Sequence, residues 1–489
     1  MPNLHEAQLR HAQHYARVLH AANQFYQQGG EALKRGLELF SLEWRNIQAG
    51  QAWAEANAEN DEVATRLCSD YASAGINIQD WRQPPRDKIR KLEVALAAAR
   101  RLNDRRAESV HLGGLGFIYH NLSESRKAFT FHEQQLTIAQ QINAHDEVVG
   151  ALNNMGLIAA ALGEYRRAIE FYERALVLVH EINDRRGEGN LLGGLGSAYY
   201  YLSDFHRAIE FYEKRLSVAR EVGDRRGEGN ALNNLGIAYA GLGEIRKAIE
   251  FYEQQLMITR EMGDRRGEAQ VIGNIGISYK NLGDFSRAIE FYEQNLTIAR
   301  EIGDRRGEAR VFSNLCIAYT ELNEPNRAIE FCNQALVIMR EMGDRRGEEA
   351  ALGNLGNAYS RLQDFHHAID FYKQALIIAR EIGDRRGEGT ALNNIGDAFA
   401  YLGEFNLAID YQKQALVIAC EISDRRGEGN ALLAISITMD TLGNRAEAIA
   451  DAEAALTIFE QIEAPNAAKV QQQLSEWRQS NKETLHAKT

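Results

Sequence analysis

The sequence predicts an all-α, right-handed superhelical solenoid of antiparallel helix pairs, and three observations carry that prediction. A pentapeptide, Asp-Arg-Arg-Gly-Glu, opens at Asp184, Asp224, Asp264, Asp304, Asp344, Asp384 and Asp424, always 40 residues apart. Within each interval, apolar residues return at the spacing of two amphipathic helices. Only Pro2, Pro84, Pro85, Pro325 and Pro465 are available to interrupt helices in 489 residues, because proline in a helix interior breaks it. A fixed period of this length marks units that bury their apolar faces by stacking on their neighbours.

One repeat shows the logic. From Asp224 to about Ala240, helix A places Leu232, Leu235 and Tyr239 on its packing face, and Gly241 to Glu244 turn the chain. Helix B, Ile245 to Met262, carries Ala248, Ile249, Tyr252 and Leu256 on one face. Gly263 follows at the position that favours a left-handed backbone. Asp264 is the expected N-cap of the next repeat, with Glu268 in its first turn. Glycine recurs inside helix A at Gly116, Gly156, Gly196, Gly236, Gly276, Gly356 and Gly396. It is expected there to admit helix B closely through Ala128, Ala168, Ala208, Ala248, Ala288, Ala368 and Ala408. Cys316 stands at this position in one repeat and Ser436 in the last.

Nine such repeats occupy 104–463, counting the variant Asp-Arg-Arg-Ala-Glu at Asp104 and a degenerate Ala-His-Asp-Glu copy at Ala144. Residues 1–60 break the period and read as two helices, Leu4–Gln27 and Glu31–Asn57, joined at Gly29-Gly30. Residues 61–103 read as a degenerate repeat whose turn carries Trp81, Pro84 and Pro85, and 464–489 as a polar capping helix and tail.

Composition narrows the function. The net charge of −12, with carboxylates beside every Arg-Arg pair, argues against the basic face that phosphate neutralisation needs. The Arg-Arg pairs are expected to bridge repeats through Asp, Glu and the helix-end residues Glu221, Glu261, Glu301, Glu341 and Glu381. Four cysteines, without a C-x-x-C pair, fit a reducing, cytoplasmic setting, with Cys316 and Cys332 as a reduced core pair. No run reaches membrane-spanning length, and the first residues lack a leader's apolar core. Gly113-Gly114-Leu115-Gly116 and Gly193-Gly194-Leu195-Gly196 fall inside helices, so they are no phosphate loops. His11 and His14 have metal-like spacing but no second ligand pair, so no metal or other cofactor is expected. No nucleophile–base constellation stands outside the repeat period, and the chain is read as a non-enzyme, monomeric in its simplest form.

The runs Asn-Leu-Gly-x-Ala-Tyr (Asn354–Tyr359) and Ala-Ile-x-Phe-Tyr (Ala368–Tyr372) resemble the tetratricopeptide repeat. The 40-residue form with Gly-Asp-Arg-x-Gly-Glu between units is similar to the Pins/LGN-type scaffold and its bacterial relatives. His11-Ala-Gln-His14-Tyr15 and Leu42-Glu43-Trp44-Arg45-Asn46 resemble the helical segment after the nucleotide-binding module of bacterial signal-transduction ATPases. The module's G-x-x-x-x-G-K-[S/T] loop does not occur in the sequence.

The resemblance implies that A helices line a concave surface on which asparagines grip a peptide backbone. Asn154, Asn234, Asn274, Asn314, Asn354 and Asn394 hold one equivalent position, and an amide offers an extended chain both donor and acceptor. Beside that column stand Ile237, Ile277 and Ile317, replaced by Ser197, Asn357 and Asp397 in flanking repeats. With Tyr200, Tyr201, Lys280, Arg310, Arg361 and Tyr401 they are the candidate peptide-binding residues. The expected partner is an extended protein segment, apolar at its centre and acidic opposite Lys280, Arg310 or Arg361. The alternative reading is a ligand-sensing regulator whose solenoid signals to a separate effector.

Overall fold

The computed structural model describes residues 4–28, 30–75, 78 and 84–486, with side chains to residue 479. Trp81 and Gly29, placed in turns by the sequence, lie outside the described residues. Two compact bodies are present, residues 1–255 and 256–489.

The N-terminal body starts with α1 (Leu4–Gln28) and α2 (Gly30–Asn57), within one residue of the expected pair. They pack through Ala12, Leu19, Phe40 and Ile47, all essentially buried. In α3 (Glu62–Ala74), Tyr71 crosses over Gly50 and donates its hydroxyl to the Ala12 carbonyl at 2.8 Å. Pro85 occupies the first position of α4 (Pro85–Arg101), where its missing N–H costs nothing. Regular A and B helices follow: α5 (Arg105–Asn121), α6 (Ser125–Gln141), α7 (His145–Ala161), α8 (Tyr165–Glu181), α9 (Arg185–Tyr201), α10 (Phe205–Glu221), α11 (Arg225–Gly241) and α12 (Ile245–Glu261).

The C-terminal body takes up the last residues of α12 and repeats the pattern. Its A helices are α13 (Arg265–Asn281), α15 (Arg305–Glu321), α17 (Arg345–Arg361), α19 (Arg385–Tyr401) and α21 (Arg425–Thr441). Its B helices are α14 (Phe285–Glu301), α16 (Pro325–Glu341), α18 (Phe365–Ile382), α20 (Phe405–Glu421) and α22 (Arg445–Gln461). The last helix, α23 (Asn466–His486), lays Val470, Leu474 and Trp477 on Phe459 and Ala455 of α22. Among the described residues there is no strand, and no helix is long and apolar enough to cross a membrane.

The punctuation follows the sequence. Gly263 has φ +65° and Gly243 φ +81°, a region that costs glycine little. The Asp264 carboxylate accepts from the Gly267 N–H at 2.9 Å, closing the start of α13.

The expectation that helix-A glycine admits the alanine of helix B is corrected in its partner. The glycine faces an aromatic ring sixteen residues ahead. A methyl on Gly156 would lie 2.5 Å from Tyr172 Cε1, and one on Gly276 2.6 Å from Tyr292 Cε1. Gly196 meets Tyr212, Gly236 Tyr252 and Gly356 Tyr372 in the same way. A phenol ring needs more room than a methyl, so in these repeats the small residue lies under the large one and not against the buried alanine. Gly396, opposite Gln412, keeps the expected neighbour, a methyl there lying 3.0 Å from the Ala408 carbonyl oxygen.

That pairing explains a second correction. Cys316 and Cys332 occupy the glycine and tyrosine positions of the Asp304 repeat, and they form a disulfide with Cα atoms 5.3 Å apart. They are not the reduced pair the cysteine count favoured. Two residues held in ring-over-glycine register already face each other, so two thiols placed there meet.

Candidate functional site: the helix A faces

Helix A is anchored at its first turn. Glu228, buried, accepts from Arg220 Nε at 2.8 Å and Arg225 Nη1 at 2.7 Å. In the C-terminal body Arg260, Arg340 and Arg380 meet Glu268, Glu348 and Glu388 at 2.8 Å. Burial pushes the Glu228 carboxyl up, but the hydrogen bonds and charges of its two arginines outweigh that and hold it below its ordinary value.

The bridging roles differ from those expected. Glu221, Glu301, Glu341 and Glu381 turn back to Arg185, Arg265, Arg305 and Arg345, the first arginine of their own repeat. An antiparallel helix B returns its C-terminus to the start of its own helix A, which puts that glutamate there. The boundary between repeats is crossed by the helix-B arginines, and in places by the second arginine, as in Arg386 to Asp424 at 3.1 Å.

Successive A helices touch one another in each body: α5–α7, α7–α9 and α9–α11 in the first, α15–α17, α17–α19 and α19–α21 in the second. From α5 to α11 in the first body and from α15 to α21 in the second, the A helices therefore form a continuous surface. The asparagines Asn154, Asn234, Asn274, Asn314, Asn354 and Asn394 are all half-buried. Among the described residues, the side chains of Asn154, Asn314, Asn354 and Asn394 make no hydrogen bond, and Asn234 accepts only a long 3.5 Å bond from Asn233. In the C-terminal body, Ile317, Asn354, Asn357 and Arg361 converge on a depression of about 290 Å³ between α15 and α17. Arg361 also reaches Glu321 at 3.5 Å.

The ladder beside the asparagines is divided by what lies beneath it. Ile237 and Ile317 are half-buried and Ile277 is exposed. The polar replacements are each engaged by a side chain of helix B. Ser197 and Asn357 accept the hydroxyls of Tyr212 (3.2 Å) and Tyr372 (2.8 Å), and Asp397 accepts from Gln412 at 2.9 Å. Burial pushes the Asp397 carboxyl up to about 6, with the Gln412 hydrogen bond opposing. Above Tyr292 the position is Ile277, and that hydroxyl is buried without a partner.

Tyr201 and Tyr401 stack on Tyr165 (5.0 Å) and Phe365 (4.9 Å), and Tyr200 packs edge-on against Phe205. The Tyr200–Phe205 pair closes a helix A–helix B corner, and the other two pairs join adjacent repeats while leaving Tyr201 and Tyr401 mostly exposed. Lys280 is half-buried and Arg310 exposed. His11 and His14 lie against the Tyr15 ring. The same 40-residue step that links the isoleucines also passes through Phe117, Leu157 and Ile437, each nearly half exposed. The 40-residue period alone marks them in the sequence.

The comparisons with known proteins agree with this architecture. A signal transduction ATPase with numerous domains, with a tetratricopeptide repeat sensor, from Pyrococcus horikoshii superposes with a TM-score of 0.53 at 15% identity. The match covers 79% of this chain and 59% of that protein's length, so the chain spans under two thirds of it. The apo quorum sensor NprR from B. thuringiensis matches at 16% identity over 71% of this chain and 99% of its own, with a TM-score of 0.49. BtubC from P. vanneervenii matches at 22% identity over 45% and 93%, with a TM-score of 0.42. No curated protein matches the sequence. The tetratricopeptide repeat pattern itself is matched over residues 107–179, 147–221, 187–261, 267–341 and 347–421. The chain belongs to the tetratricopeptide repeat family, whose fold generally mediates protein interactions.

Proposed function

We propose that this protein is an interaction scaffold that holds an extended peptide or protein segment against its helix A surface. The asparagine column supports the reading: amides at one equivalent position, half-buried, several without a partner in the fold, bordering a depression lined by Ile317. An amide that the fold leaves unused can offer both a donor and an acceptor to a peptide backbone. Ile277 and Ile317 offer an apolar contact, the depression beside Ile317 is otherwise polar, and Lys280, Arg310 and Arg361 favour an acidic side chain nearby. Arg361 contributes least, since Glu321 already shares it.

The test is a peptide-array screen, followed by fluorescence anisotropy on the strongest binder. The Asn314→Ala/Asn354→Ala/Asn394→Ala variant, folded by circular dichroism, is expected to bind at least tenfold more weakly. Equal binding by the variant sinks the asparagine reading.

A second reading, a regulator that senses a small ligand, is favoured by one observation: the N-terminal body holds an open-mouthed cavity where the repeat pattern fails. Ligand-dependent compaction in solution scattering, with no protein partner present, distinguishes it.

A further inference from the structure

That cavity measures about 510 Å³, within the range of small-molecule sites. Departures from the repeat create it. Gly114 and Gly150 stand where other repeats carry asparagine, as at Asn234 and Asn230, and a Cβ on Gly150 would meet nothing within 4 Å. Leu92 of α4 lies against Gly114 and, with Phe117 and Ile118, supplies an apolar floor.

The charges are arranged on opposite elements. Lys88 and Lys91 come from one side, both on α4. Lys91 Nζ donates to Gln51 at 2.9 Å, which leaves an ammonium further donors. Across the cavity, Glu147 comes from α7. It occupies the position of the glycine in Asp-Arg-Arg-Gly-Glu, while buried Val148 takes the place of the arginine-paired glutamate. The carboxylate has thus moved one residue, from an ion-pair network to a cavity wall. Gln135, buried, donates to it at 3.4 Å, a long bond that leaves its other lone pairs open. Burial pushes the Glu147 carboxyl up and the Lys91 ammonium down, outweighing the opposing charges of Arg106 and Glu55 respectively.

We propose that this cavity binds a short apolar peptide with both termini free. The carboxylate end lies at Lys88 and Lys91, the ammonium end at Glu147, and the side chains on Leu92, Phe117 and Ile118. The volume suits a di- or tripeptide. Asn154, on the same wall as Glu147, meets the peptide's backbone. This rests on the ligand-sensing reading for its purpose but not for its chemistry.

The test is isothermal titration of the full chain with Leu-Leu and Leu-Leu-Leu, each with free, N-acetylated and C-amidated ends. A free-ended peptide is expected to bind, and either block to weaken it at least tenfold. Glu147→Gln should lose affinity for the free peptide yet show no further loss on acetylation. Gly150→Asn, which restores the common residue at an open helical site, should fold and lose binding. No heat at millimolar peptide, or equal affinity for blocked and free forms, overturns the proposal. Binding without compaction in scattering leaves the site standing and removes the sensing role.

Discussion

The Asp224 and Ala144 repeats share one backbone plan and use their first turns differently. In the former, Glu228 is buried between Arg220 and Arg225. In the latter, Gln140 and His145 replace those arginines and Val148 replaces the glutamate. The whole charged cluster has gone at once, and an apolar residue fills its place. Removing every member of an ion-pair network together is far less costly than removing one, so the repeat keeps its fold. The Asp304 repeat differs at a second point, exchanging glycine and tyrosine for two bonded cysteines. Repeats therefore tolerate change in matched sets, and the unmatched remainder, Glu147, is where binding chemistry collects.

The largest effect should come from breaking one matched set. Cys316→Gly alone loses the disulfide and leaves space unfilled, for about 2–5 kcal/mol. Cys332→Tyr alone also loses the disulfide and forces a ring onto Cys316, for about 3–7 kcal/mol. The double variant rebuilds the pair found in Gly276 and Tyr292 but still lacks the disulfide, so it is expected about 2–4 kcal/mol below the parent and no less stable than either single variant. Denaturant melts of the four proteins measure the coupling; additive losses would show that the two positions are not a pair.

A smaller contrast separates the two glutamates. Glu228→Gln removes a buried charge from two half-exposed arginines and should cost about 1–2 kcal/mol. Glu147→Gln should be neutral or slightly stabilising in thermal melts, because its carboxylate is short of partners. A comparable loss at both sites would erase the distinction.

The smallest effect is a difference in pH profile. Glu228, Glu268, Glu348 and Glu388 are held below the ordinary 4.5. Their contribution is full above that pH and is lost as pH falls through the folded values. Glu147 is raised, so its contribution is present below 4.5 and is lost as pH rises through its folded value. Wild-type stability should decline in acid, and any advantage of Glu147→Gln should vanish there. An advantage that persists below pH 4 would reverse the sign assigned to Glu147.

Much of this was legible because the repeat turns local chemistry into a period. Asp264 as N-cap, Gly263 as left-handed residue and the two-helix unit follow from residue type and spacing alone. The partner of each interior glycine did not. Offsets of twelve and sixteen residues both reach from helix A to helix B, and the choice depends on the angle at which the helices pack. The disulfide was hidden for the same reason, since cysteine count speaks of the compartment and only register speaks of proximity. Tyr201 and Tyr401 end helix A, and nothing in the sequence shows that each stacks on a ring from the preceding repeat while staying mostly exposed.

The sequence by itself determined the helix pairs, their punctuation and the columns that recur every 40 residues, because those depend on near neighbours along the chain. Only the tertiary structure decided which side chains of the columns are engaged by the fold, as Ser197 and Asp397 are, and which remain available, as Asn314 and Asn354 do. It alone brought Lys91 of α4 and Glu147 of α7 to one cavity. Side chains from separate helices meet through packing, and packing is fixed by the volumes of every residue between them.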